Sequence, residues 1–104
     1  MITGWFPHNQ AQKAGKVYLE VMKKYPRDKS LSRVLLDNAI AATKEGYKGV
    51  TAVEVKEGKL IDYIALTNKR LIMLAEGIND YKFQIEVLSS INEAMDVLGL
   101  KPPE

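Results

Sequence analysis

Arg33-Val34-Leu35-Leu36-Asp37-Asn38-Ala39-Ile40-Ala41-Ala42-Thr43-Lys44 can be read two ways, and the choice decides the fold. As a helix, Leu35, Leu36, Ala39, Ile40 and Thr43 share one face, and the alanines favour that conformation. As a strand, the stretch becomes the first arm of a hairpin. Glu45-Gly46 and Lys48-Gly49 bracket a short connection to Val50-Thr51-Ala52-Val53-Glu54-Val55, which reads as a strand throughout. That strand needs an antiparallel neighbour, and residues 33–44 supply one adjacent in the chain. Helix propensity is a weak prior that tertiary pairing overrides, so the stretch is read as a strand.

The other elements follow outward from the hairpin. Upstream, Ile2 to Phe6 is β-branched or aromatic apart from Gly4, and Pro7 ends it because proline has no amide donor. Asn9, with Gln12 three residues on, is expected to cap a helix that carries Ala14, Val17, Tyr18, Val21, Met22 and Tyr25 on one face. Pro26 stops it. Downstream, Lys56-Glu57-Gly58-Lys59 is a turn into a second helix reaching Glu76. Its apolar stripe, from Leu60 and Ile61 to Ile72 and Ala75, is broad enough to expect cover on more than one side. Tyr81, Phe83, Ile85 and Val87 alternate with polar residues as in a half-buried strand. Ser90 and Glu93 form a capping box for a last helix, with Ile91, Ala94, Met95 and Leu98 on its inner face and Gly99 and Pro102-Pro103 beyond it. The order is βαββαβ with a C-terminal helix, an α+β domain with a four-stranded antiparallel sheet spanning residues 1–104.

Composition narrows the chemistry. At 104 residues there is room for one core. The absence of cysteine excludes disulfides, thiolate metal sites and a cysteine nucleophile. Fifteen Lys and Arg against thirteen Asp and Glu give a net charge of +2, spread along the chain, so nucleic acid is not expected as a partner. Lys23-Lys24-Tyr25-Pro26-Arg27-Asp28-Lys29 is the densest basic stretch, read first as a solvated helix C-terminus complementing the dipole and, alternatively, as an anion-facing surface. No signal-like leader or apolar run long enough for a membrane span is present, which makes a cytoplasmic location the expectation and a membrane partner unexpected.

The Trp5-Phe6-Pro7 strand end, the hairpin phrase Ala42-Thr43-Lys44-Glu45-Gly46 and the Val53-Glu54-Val55-Lys56-Glu57-Gly58-Lys59-Leu60 turn carry a resemblance over nearly the whole chain. The sequence resembles the ferredoxin-like dimeric α/β-barrel superfamily, and within it a group of small archaeal proteins. The resemblance implies a homodimer in which two sheets pack face to face, and it assigns no chemistry to particular positions. Independently, a four-stranded sheet with helices on one side leaves its other face open, and a large apolar face is rarely left to water.

The candidate site residues are few. His8 is the only histidine, so one chain cannot build a two-histidine metal site, and neither a metal nor an organic cofactor is expected. His8, at the end of the first strand, is a candidate general base, with Asp37 or Glu54 as its proton-handling partner. The simpler reading makes His8 a loop residue and Glu54 an edge or solvent position, and Asp37 would be exposed if its stretch were a helix. In a strand Asp37 and Asn38 point to opposite faces, so one of them turns inward and must find a hydrogen-bond partner or line a pocket. Trp5, Asn38 and Tyr63 are the candidate ligand-binding residues, and Thr67 and Asn68 interrupt the second helix's apolar stripe. No phosphate-binding loop, nucleophile elbow or His-Glu-x-x-His motif occurs. The expectation is a small-molecule-binding homodimer whose catalytic status is open. The rival is a structural or interaction module, with RNA binding through its sheet face and lysines as one form of it.

Overall fold

The computed structural model describes residues 1–101, so Pro102-Pro103 lies outside the described residues. Strand β1 (Ile2–Phe6) is followed by a 3-10 turn at His8–Gln10 and helix α1 (Ala11–Lys24). Strands β2 (Ser32–Ala42) and β3 (Tyr47–Val55), helix α2 (Leu60–Gly77), strand β4 (Lys82–Ile85) and helix α3 (Ile91–Leu98) complete the order. The stretch read from Arg33 therefore forms a strand as far as Ala42, and Thr43 and Lys44 belong to the turn. The sheet runs β2-β3-β1-β4 with every neighbouring pair antiparallel, a ferredoxin-like βαββαβ arrangement with α3 trailing it.

The hairpin is held by its turn. The Thr43 amide and hydroxyl both donate to the Gly46 carbonyl at 2.7 and 2.8 Å. Gly46 has φ +151°, and a Cβ there would lie 3.1 Å from both the Phe6 carbonyl carbon and Pro7 Cα, so only glycine fits. Strand β2 is not regular. Its register against β3 shifts between Val34 and Leu36 and again between Leu36 and Ala39, and Asn38 adopts φ +45°. Such bulges rotate side chains locally and bend the strand.

Helix α1 starts later than expected. Asn9 lies inside the 3-10 turn and Gln10 occupies the cap position without a side-chain cap bond, because Pro7 accepts the Gln10 amide at 3.0 Å and closes a tighter turn first. The face expected for α1 is the one that packs, with Ala14 and Val21 buried. At α3 the Ser90 hydroxyl accepts the Glu93 amide at 3.1 Å, and Gly99 closes the helix in the left-handed conformation.

Helices α1 and α2 pack on one another and cover one face of the sheet. The buried core is Ala14, Val21, Tyr63, Leu71 and Ile78. The broad stripe of α2 is covered on one side only, since Ile61 and Ile72 are 84% and 53% exposed. Helix α3 buries no residue, and Val87, Leu88, Ile91 and Leu98 are all exposed. The radius of gyration is 15.8 Å, against roughly 13 Å for a compact domain of this length. No described helix is long and apolar enough to cross a membrane.

Candidate functional site

A half-open cavity of about 840 Å³ lies between the helices and the sheet. Small residues on both walls create it. Ala11, Ala14 and Gly15 face the sheet from α1, and Gly4 and Gly49 lie on the strands opposite. A Cβ at Gly15 would meet nothing within 4 Å. The open side runs along β2, where Val34 and Ile40 are 36% and 54% exposed.

Alternation decides which strand residues reach the cavity. Ile2, Gly4 and Phe6 of β1, and Tyr47, Gly49, Thr51 and Val53 of β3, line it. Thr3 and Trp5, with Lys48, Val50, Ala52 and Glu54, therefore lie on the opposite face. Trp5 is thus not a pocket wall. The helices cover the Phe6 face, and Phe6 stacks on Tyr47 with ring centroids 5.4 Å apart.

Asn38 and Tyr63 do line the cavity. The Asn38 amide nitrogen of the backbone donates to Thr51 Oγ1 at 3.1 Å, and a Cβ at Gly49 would lie 2.9 Å from Asn38 Oδ1. The side chain of Asn38 is therefore laid over the neighbouring strand, as expected for the inward member of the Asp37-Asn38 pair. The bulge in β2 completes this inward placement.

On α2, Tyr63, Thr67, Leu71 and Leu74 recur at helical spacing along the cavity wall. Thr67 is 2% exposed and its hydroxyl has no hydrogen-bond partner among the described residues. The Tyr81 ring lies over Gly4, whose Cβ would come 2.9 Å from Tyr81 Cζ. Burial pushes the Tyr81 phenol up to about 12, so it is a neutral hydroxyl at physiological pH.

The three proton-handling candidates are not brought together. The Thr43 carbonyl accepts from His8 Nε2 at 2.7 Å, and the ring meets Tyr47 edge-on at 5.5 Å. Asp37 is exposed and pairs with Arg27. Glu54 pairs with Arg33 across the β2–β3 register at 3.0 Å, and both are exposed. None of the three lines the cavity. Among the described residues no group of three His, Asp or Glu side chains could hold a metal ion.

One end of the cavity joins the basic stretch after α1 to residues far from it in the chain. Arg70 donates from Nε to the Tyr25 carbonyl at 2.8 Å and from Nη2 to the Pro26 carbonyl at 2.7 Å, tying α2 to the loop after α1. The Lys56 amide donates to the Leu31 carbonyl at 2.9 Å, tying the end of β3 to the same loop. Burial lowers the Arg70 pKa, with repulsion from Arg27 adding to it. Asp28 accepts the Ser30 hydroxyl and amide, which hold its carboxyl below the ordinary value of 3.8, helped by Lys56 and Lys59. No known protein family, no curated protein and no solved structure matches the chain.

Proposed function

We propose that the protein is a cytoplasmic homodimeric α/β barrel that binds a small molecule in the cavity between its sheet and its helices. The observation that carries this reading is the cavity itself. Its volume of about 840 Å³ lies within the range of small-molecule sites. Its walls are chiefly apolar, with Tyr18, Tyr63, Tyr81 and Asn38 among the neutral polar groups and charged side chains at the end near the loop after α1.

The neutral dye Nile red tests it without presuming a ligand. The wild-type protein should bind the dye, and Gly15→Leu, which projects a side chain into the cavity, should weaken binding while helix propensity holds stability within about 1 kcal/mol of wild type. Undiminished binding in Gly15→Leu would mean that the ligand sits elsewhere.

The second copy is supported by surface area. A compact monomer of 11.7 kDa exposes roughly 5,900 Å², whereas this chain exposes 7478 Å². The excess, roughly 1,600 Å² per chain, includes the walls of the open cavity and helix α3, and is large enough to hold an interface between two copies as well. The outer sheet face offers Val50, Ala52 and Leu36 to a second copy. Light scattering at micromolar concentration should give the dimer mass, and Val50→Glu should give the monomer. A monomeric wild type would remove this part of the reading.

One observation favours the rival. On the outer face Trp5 pairs in register with Lys48 on one side and Lys82 on the other, and an aromatic flanked by cations on an open sheet suits base stacking on single-stranded RNA. Salt-sensitive quenching of Trp5 fluorescence by oligonucleotides would support it, and no retention on an RNA column at low salt would dismiss it.

A further inference from the structure

We propose that the cavity's ligand is amphipathic, with a chiefly apolar body and an anionic head, a carboxylate or a phosphate, seated among Lys29, Lys56 and Arg70. The inference rests on the small-molecule reading above and adds the ligand's chemistry and direction.

It follows from how charge is distributed around the cavity. Five cations line it, Arg27, Lys29, Arg33, Lys56 and Arg70, and Asp28 is the one carboxylate among its lining residues. Arg27 is neutralised by Asp37 and Arg33 by Glu54. Three cations remain against Asp28, which leaves two net positive charges at this end. These groups are gathered rather than scattered. The loop that carries Lys29 is tied to the end of β3 at Lys56 by the Leu31 carbonyl, and to Arg70 by the carbonyls of Tyr25 and Pro26.

Arg70 is the most informative of the three. It is partly withdrawn from water, yet its guanidinium is held by two neutral carbonyls and by no carboxylate among the described residues. A guanidinium presents five donors, so two bonds to carbonyls fix its plane and leave further N–H groups for an oxygen anion. Away from this end the cavity is walled by Phe6, Ala14, Ile40, Leu71 and Leu74, with no charged side chain. An apolar tail fits there and a charged group does not.

Isothermal titration of the full-length protein at low salt with dodecanoate, dodecyl phosphate, dodecanol and dodecyltrimethylammonium, each below its micellar concentration, tests the proposal. At least one anion should bind about tenfold more tightly than dodecanol, and the tighter of the two identifies the head group. In the double variant Lys29→Gln/Lys56→Gln that preference should shrink to about twofold. Both lysines are exposed and neither side chain has an ion-pair partner among the described residues, so folding is not at issue. Equal binding of dodecanol and both anions, tighter binding of the ammonium amphiphile, or an undiminished preference in the double variant overturns the anionic head and leaves the cavity reading standing. No binding of any of the four, together with no binding of Nile red, overturns both.

Discussion

Replacing Thr67 by valine should stabilise the ligand-free protein, contrary to the usual effect of a buried Thr→Val change. The exchange keeps the β-branched shape and nearly the same helix propensity, so it isolates the hydroxyl. In most proteins that hydroxyl donates to a buried acceptor, and losing it costs about 1 kcal/mol. Here the oxygen is shielded from solvent and has no partner among the described residues. A buried polar group without a partner costs about 1–3 kcal/mol, and valine removes that penalty. The expected gain is therefore about 1–2 kcal/mol, or a rise of roughly 5–15 °C in Tm for a domain of this length. Urea unfolding of both proteins, by fluorescence and circular dichroism, measures it. The midpoint should rise with the slope unchanged, since the surface exposed on unfolding is the same. A lower midpoint would refute the reasoning, because it would show that the hydroxyl is hydrogen-bonded in solution.

Three further outcomes follow from other sites. Gly46→Ala places a Cβ against the Phe6 carbonyl and Pro7 at a backbone angle that alanine avoids. It should cost about 3 kcal/mol or more, read as a lowered urea midpoint. Tyr81 tests the sign of a pH effect. Its folded pKa, raised from 10.0 to about 12, means that between those values the folded state holds a proton that the unfolded state has released. Stability is complete below pH 10 and falls by up to about 2.5 kcal/mol as pH rises through 12, and Tyr81→Phe should remove that slope. Ser90→Ala removes the bond to the Glu93 amide and about 1 kcal/mol of helix stability. Because α3 buries nothing, the loss should appear as faster amide exchange confined to α3, with the urea midpoint of the sheet unmoved.

Much of the fold was legible because local rules and topology agreed. The hairpin required a partner for Val50–Val55, and that requirement outweighed the alanines of β2. The Ser90 cap of α3, which is the half of the expected capping box that forms, and the apolar face of α1 came from spacing alone. The strand ends and the start of α1 were less legible, since a 3-10 turn and a cap compete over one or two residues. Trp5 shows a deeper limit. Alternation along β1 says that Trp5 and Phe6 occupy opposite faces, but not which face the helices cover. That is set by how α1 and α2 cross the sheet, a tertiary fact. Of the cavity's lining, Asn38 and Tyr63 had been singled out, as a polar residue that alternation turns inward and as the tyrosine one turn before the Thr67-Asn68 break. Of the cationic end only Lys29 was legible, within the basic Lys23–Lys29 stretch that could also face an anion; Lys56 and Arg70 lie far from it in the chain, and backbone carbonyls bring them to it.

The irregular register of β2 bears on how this protein behaves when crowded. β2 is an edge strand of eleven residues, and Val34, Leu35, Leu36 and Ile40 on it are exposed. A flat strand of that composition would be a template on which a neighbouring chain could grow an intermolecular sheet. Two breaks in register and the left-handed turn at Asn38 interrupt its free row of amides and carbonyls, so an incoming strand could match only a few residues at a time. The bulge that lays the Asn38 amide across β3 thus also guards the protein's solubility. Straightening it would endanger the protein through aggregation before any loss of binding could be measured.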